Sequence, residues 1–132
     1  MNDLKPTSVK YAEIAIWATI GVSSLAEVIN RNMGVISPSN FMGMLVIYAL
    51  ICIVPYKIGR RSNAARYVYA VITAMSILML MTNGISAGIS KLDVILSYLL
   101  IPVEVFILYN LFRDESSSWF SNQDNDRAKQ LL

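Results

Sequence analysis

The run Tyr56-Lys57-Ile58-Gly59-Arg60-Arg61-Ser62-Asn63-Ala64-Ala65-Arg66 separates two long apolar runs and carries four of the chain's eleven lysines and arginines. Pro55, just before it, disfavours continuation of a helix, and Ser62 or Asn63 is suited to cap the start of the next. A basic turn between two apolar helices reads as the loop of a membrane hairpin, held on the side where Lys and Arg are retained.

The apolar runs on either side are two of four. The 132 residues are 55% hydrophobic and only 15% charged. A soluble domain carries about 25% charged residues. Each apolar block is long enough to cross a bilayer, which takes about 20 residues. The expected fold is therefore an all-α integral membrane protein, a four-transmembrane-helix up-down-up-down bundle. The expected helices cover about 11–30, 38–57, 64–86 and 94–112 within a transmembrane domain of residues 1–112. Ser37-Pro38 is a favourable start for the second, with Ser as cap and Pro in the first turn. Asp93 is the expected cap of the fourth, and Pro102 is expected to interrupt that helix near its middle. Asn83-Gly84 and Gly88 mark the second outer loop. Residues 113–132 are rich in Ser, Asn and Asp and are expected to form a mostly disordered cytoplasmic tail. Within it, Trp119-Phe120 is expected to return to the membrane surface as an interfacial anchor.

Lys5 and Lys10 followed by the apolar residues 14–22 have the shape of a secretory signal. The apolar run continues to Ile29, so a spanning helix is the expected reading. With four spans, Lys5, Lys10, Lys57, Arg60, Arg61, Arg66, Arg113, Arg127 and Lys129 fall on one side, and Arg31 and Lys91 on the other. This bias predicts cytoplasmic N- and C-termini. The segregation of basic residues by membrane side also argues against nucleic acid as a partner. The expected partners are the lipid bilayer and a membrane protein or a second copy of the chain.

The chain has no histidine and one cysteine, Cys52. Ser-His and Cys-His nucleophile pairs, the two-histidine zinc motif and a histidine haem ligand are thereby excluded. No cofactor or metal is expected, and the methionines read as packing or lipid-facing side chains.

Glu104 is the sharpest candidate for chemistry. Its neighbours Leu100, Ile101, Ile107 and Leu108 are apolar, so its own helix offers it no partner. A charge at mid-membrane costs about 2.5–3.5 kcal/mol on insertion scales, which directs the side chain inward. Counted from each membrane entry, Tyr48, Thr73, Ser76, Thr19 and Ser23 reach a similar depth. A buried polar cluster of these residues around Glu104 is expected, either as interhelical hydrogen-bond glue or as a proton or cation site. In the first helix Ala15, Thr19, Ser23 and Glu27 recur every four residues and share a face. Glu27 is expected to pair with Arg31 at the surface, or to be a second carboxylate leading to Glu104 from outside. Glu13, at the inner edge of the first helix, is expected to be solvated or paired with Lys10. In the third helix Arg66, Tyr69, Thr73, Ser76, Leu80 and Asn83 form a mostly polar seam at alternating steps of three and four.

The turn and the tail together resemble a widespread group of small bacterial four-helix membrane proteins of unknown function. That group links helices two and three by Lys-Ile, a two-residue spacer and Gly-Arg-Asn-Trp-Ala-Arg, and places a Trp-Phe pair after helix four. Lys57-Ile58, Asn63, Ala65, Arg66 and Trp119-Phe120 fall at matching positions. Arg61 stands for the Gly, Ser62 for the Arg and Ala64 for the Trp. The resemblance implies a multi-pass protein of the bacterial inner membrane, with no assigned activity. Separately, Leu25-Ala26-Glu27-Val28-Ile29 resembles the first-helix segment of small multidrug resistance transporters. The aromatic and glycine pattern of their third helix is not present here, and Glu27 lies nearer the helix end.

Overall fold

The computed structural model describes residues 4–83 and 90–132. Every regular element among them is helical: α1 Thr7–Asn32, α2 Pro38–Ile51, α3 Ile53–Gly59, α4 Asn63–Asn83, α5 Lys91–Phe112 and α6 Asp114–Gln130. Four helices are long and apolar enough to cross a membrane: α1, α2 with α3 as one near-continuous span (Pro38–Gly59), α4 and α5. Gly84, Gly88 and the expected last residues of the third span, 84–86, lie outside the described residues.

Several boundaries differ from expectation for local reasons. The second span divides at Cys52, one turn before Pro55. Pro55 lacks the N–H that would bond the Ile51 carbonyl, and the adjacent bond from Tyr56 N to Cys52 O is stretched to 3.5 Å. The fifth helix runs unbroken through Pro102. Its cap is Ser90, whose Oγ accepts from the amides of Leu92 (3.1 Å) and Asp93 (3.4 Å), and Asp93 is left free for another role. Gly34, at φ +71, closes α1. Val35 N bonds Asn30 O and Gly34 N bonds Arg31 O, the two bonds that satisfy a helix C-terminus after a left-handed residue.

The tail is not disordered. Residues Asp114–Gln130 form α6, although Ser, Asn and Asp are poor helix formers. The cause is tertiary. Ser116, Trp119 and Phe120 share one helical face and are 0%, 8% and 0% exposed. Trp119 and Phe120 are thus buried inside the protein, where a surface anchor was expected.

The core comprises Val9, Ala12 and Ile16 of α1, Val54 and Ile58 of α3, Ala65 and Tyr69 of α4, Ile107 and Leu111 of α5, and Trp119 and Phe120 of α6. These residues gather where α1 and α4 begin and α5 ends. Ser8 Oγ lies 2.8 Å from Ser116 Oγ. Beyond Ile16 the helices carry few buried apolar side chains, and Trp17, Leu45, Leu78 and Met79 are among many exposed ones.

Candidate functional site

Glu104 projects from α5 into a space bounded by α1, α2 and α4. A cavity of about 160 Å³ is lined by Glu104 with Tyr48, Thr73, Ser76, Thr19 and Ser23, and by the apolar side chains Ile16, Ile51, Tyr69 and Ile72. A second, of about 170 Å³, shares Glu104, Thr19, Ser23 and Ser76 and adds Ser97 and Leu80. Two of the hydroxyls have their protons committed: Thr19 Oγ1 donates to Ala15 O and Ser76 Oγ to Ile72 O, each at 2.9 Å. Such hydroxyls offer lone pairs to the cavity. Among the described residues no side chain donates a hydrogen bond to the Glu104 carboxyl. The cavity therefore sets the Glu104 carboxyl among hydroxyl oxygens, groups that can donate as well as accept.

Glu27 lies farther along. It does not pair with Arg31 at the surface; its side chain turns inward and the residue is 7% exposed. With Ser23, Tyr48, Asp93 and Ser97 it lines a cavity of about 350 Å³, and with Ser39, Asn40 and Asp93 a more open one of about 370 Å³. Shared lining residues (Ser23, Tyr48, Glu27, Asp93) make these spaces neighbours along the bundle. The one ion pair among the described residues joins Glu13 to Lys5, where Lys10 was the expected partner. Gly59 permits this arrangement, since a Cβ there would meet Glu13 Oε1 at 2.6 Å.

Asn30, 1% exposed, escaped the sequence reading. Its Nδ2 donates to Asp93 Oδ1 and Oδ2 at 2.8 and 2.9 Å, and its Oδ1 accepts from Ser90 Oγ at 2.9 Å. This clasp ties the end of α1 to the start of α5. Nothing local marks Asn30, because both partners lie some sixty residues away.

The four cations of the basic turn have separate fates. Arg66 lies inside the protein at 6% exposure. Its Nη1 donates to Leu111 O (3.4 Å) and Ser117 Oγ (3.1 Å), and its guanidinium sits 5.0–5.1 Å from the ring centres of Tyr67, Phe112 and Phe120. The last carbonyls of α5 have no partner in their own helix. Here Ser116 and Ser117 donate to those of Asn110 and Phe112, and Arg66 to that of Leu111. The negative end of the α5 dipole favours a cation at this place. Arg66 Nε and Trp119 Nε1 remain buried without a protein partner.

Arg61 has φ +66. Arg61 N bonds Ile58 O and Ser62 N bonds Lys57 O, so Arg61 occupies the left-handed residue closing α3, a place where glycine is usual. Arg61 Nε donates to Trp119 O, and the guanidinium lies 5.4 Å from the Trp119 ring centre. Arg60 stacks on Tyr56 at 4.9 Å. Lys57 and Arg60 both face a recess shared with α6. Ser62 stands at the cap position of α4, yet its hydroxyl makes no capping bond, and the Asn63 amide donates instead to Asp124 at 3.1 Å.

No family model matches this chain, and neither the curated proteins nor the solved structures contain a match.

Proposed function

We propose that the chain is an integral protein of a bacterial inner membrane, with its spans running up-down-up-down and both termini and the basic turn cytoplasmic. Four helices of spanning length and nine of eleven basic residues at one end support this placement. Within the membrane it acts without catalytic apparatus, as an accessory, regulatory or immunity-type protein that works through helix–helix contacts. The observation that carries this reading is a closed base. The polar cavities end against Ile16, which belongs to a core that also contains Ile58, Ile107, Leu111 and Phe120, four of its fully buried members. A single chain therefore offers no polar path from Glu104 to the basic end.

The hydroxyl-lined cavities around Glu104 favour a second reading, an oligomeric proton- or cation-coupled transporter or channel whose path forms between copies. Proteoliposomes with an enclosed pH-sensitive dye distinguish the two. The accessory reading expects wild type and Glu104→Gln to show the same background proton leak under imposed cation gradients. Flux in wild type that Glu104→Gln abolishes would replace it with the transporter reading.

A further inference from the structure

We infer that the recess between the basic turn and α6 binds a phosphate-bearing anion, and that its natural occupant is the headgroup of an anionic phospholipid. The recess has a volume of about 470 Å³ and is lined by Lys57, Arg60, Ser62 and Arg127. Three cations and a hydroxyl converge there, and no carboxylate lines the space. Asp124, one turn before Arg127 on α6, is held by the Asn63 amide. Ser62 leaves the first amides of α4 uncapped by any side chain, and a helix N-terminus favours negative charge. Two guanidinium forks, an ammonium and a hydroxyl suit a tetrahedral oxyanion with several acceptor oxygens better than a single carboxylate.

The lipid as source rests on the membrane placement proposed above, because the recess lies at the end expected to face the anionic leaflet. Basic pockets at that level are suited to headgroups. Arg127 belongs to α6 and the other three residues to the turn, so the recess is complete only when α6 is docked. Occupancy therefore braces α6 against the turn.

The full chain is reconstituted in nanodiscs of phosphatidylcholine containing phosphatidylglycerol, and the lipids it retains are read by native mass spectrometry. Arg127→Glu is compared with Lys129→Glu. Both make the same charge change in the exposed last turn of α6, and only Arg127 lines the recess. Wild type and Lys129→Glu are expected to retain phosphatidylglycerol equally, whereas Arg127→Glu loses at least about tenfold. Equal loss in both variants, or no preference for the anionic lipid in wild type, overturns the headgroup assignment. A second arm titrates inorganic phosphate into delipidated protein in neutral detergent. Saturation weakened by Arg127→Glu alone, without lipid retention, reassigns the occupant to soluble phosphate; binding in neither arm overturns the site. Recovery in carbonate-washed membranes tests the placement separately, since failure there leaves the phosphate arm standing.

Discussion

The two ends of the helical bundle are held together by different physics. At the basic end, five of the six helices contribute to one apolar core, and beside it Arg66 Nη1, Asn110 and Ser116 make hydrogen bonds, while Arg66 Nε and Trp119 Nε1 make none among the described residues. At the opposite end, among the described residues, Ala26 is the buried apolar side chain, beside Glu27 and Asn30, and the Asn30–Asp93–Ser90 clasp joins α1 to α5. The seam of α4 shows the change along one helix: Arg66, Tyr69 and Thr73 are buried, while Ser76 is exposed. Between helices in lipid, apolar contact supplies no hydrophobic driving force. The apolar core at the basic end, bordered on the outside by the recess beneath the turn, and the polar-lined cavities around Glu104 and Glu27 divide the molecule into a packed end and a cavity-rich one.

Substitutions test that division. Phe120→Ala, at a fully buried position, is expected to cost about 3–5 kcal/mol in denaturant titration of the detergent-solubilised protein. Leu78→Ala on the outer half of α4, 61% exposed, is expected to change almost nothing; equal losses would break the comparison. Arg66→Met empties the aromatic enclosure of its charge and leaves the Leu111 carbonyl without a donor, for an expected loss of about 2–3 kcal/mol. Arg66→Lys should recover only part of it, because the fork geometry is lost.

Asn30→Ala removes the clasp at the cavity-rich end and is expected to cost about 1–3 kcal/mol. Hydrogen exchange should accelerate around Ser90 and Asp93 and stay unchanged around Leu111. Faster exchange at both ends would mean that the two halves unfold as one. At residue 61, Gly is expected to exceed Ala in stability by about 1 kcal/mol, since both lose the Trp119 contacts and only Ala retains the left-handed strain. Glu104→Gln is expected to shift stability by less than about 1 kcal/mol, because an amide can still hydrogen-bond between helices.

Hydropathy and the charge asymmetry of the turn made the four long helices legible, because spanning length is written locally in the chain. Counting along those helices brought Glu104, Tyr48, Thr73 and Ser76 to one cavity, but of the buried cluster that was expected only Thr73 is buried, Ser76 is exposed and Glu104, Tyr48, Thr19 and Ser23 are half-buried. Three features were not legible. The helicity of α6 depends on burying Ser116, Trp119 and Phe120 against residues far away in sequence, which overrides the poor propensity of its Ser and Asn residues. The inward turn of Glu27 left Arg31 without the expected ion pair, as burial against neighbouring helices outweighed an exposed contact worth only about 0–1 kcal/mol. The meeting of the turn with the tail was hidden for the same reason as the Asn30 clasp. The basic turn and the Trp119-Phe120 pair were each visible, but Arg61 on Trp119 and Arg66 on Phe120 are pairings that only the folded chain reveals.

Phe120 lies downstream of every long apolar helix, so the ribosome makes it after all four. Until that residue emerges, the aromatic enclosure of Arg66 lacks a wall and the final carbonyls of α5 lack their serine donors. A nascent chain halted after Phe112 would hold all its long helices and still carry an exposed, half-built socket at the basic end. Docking of α6 is therefore the step that closes the enclosure of Arg66, and it comes after the four long helices have been made.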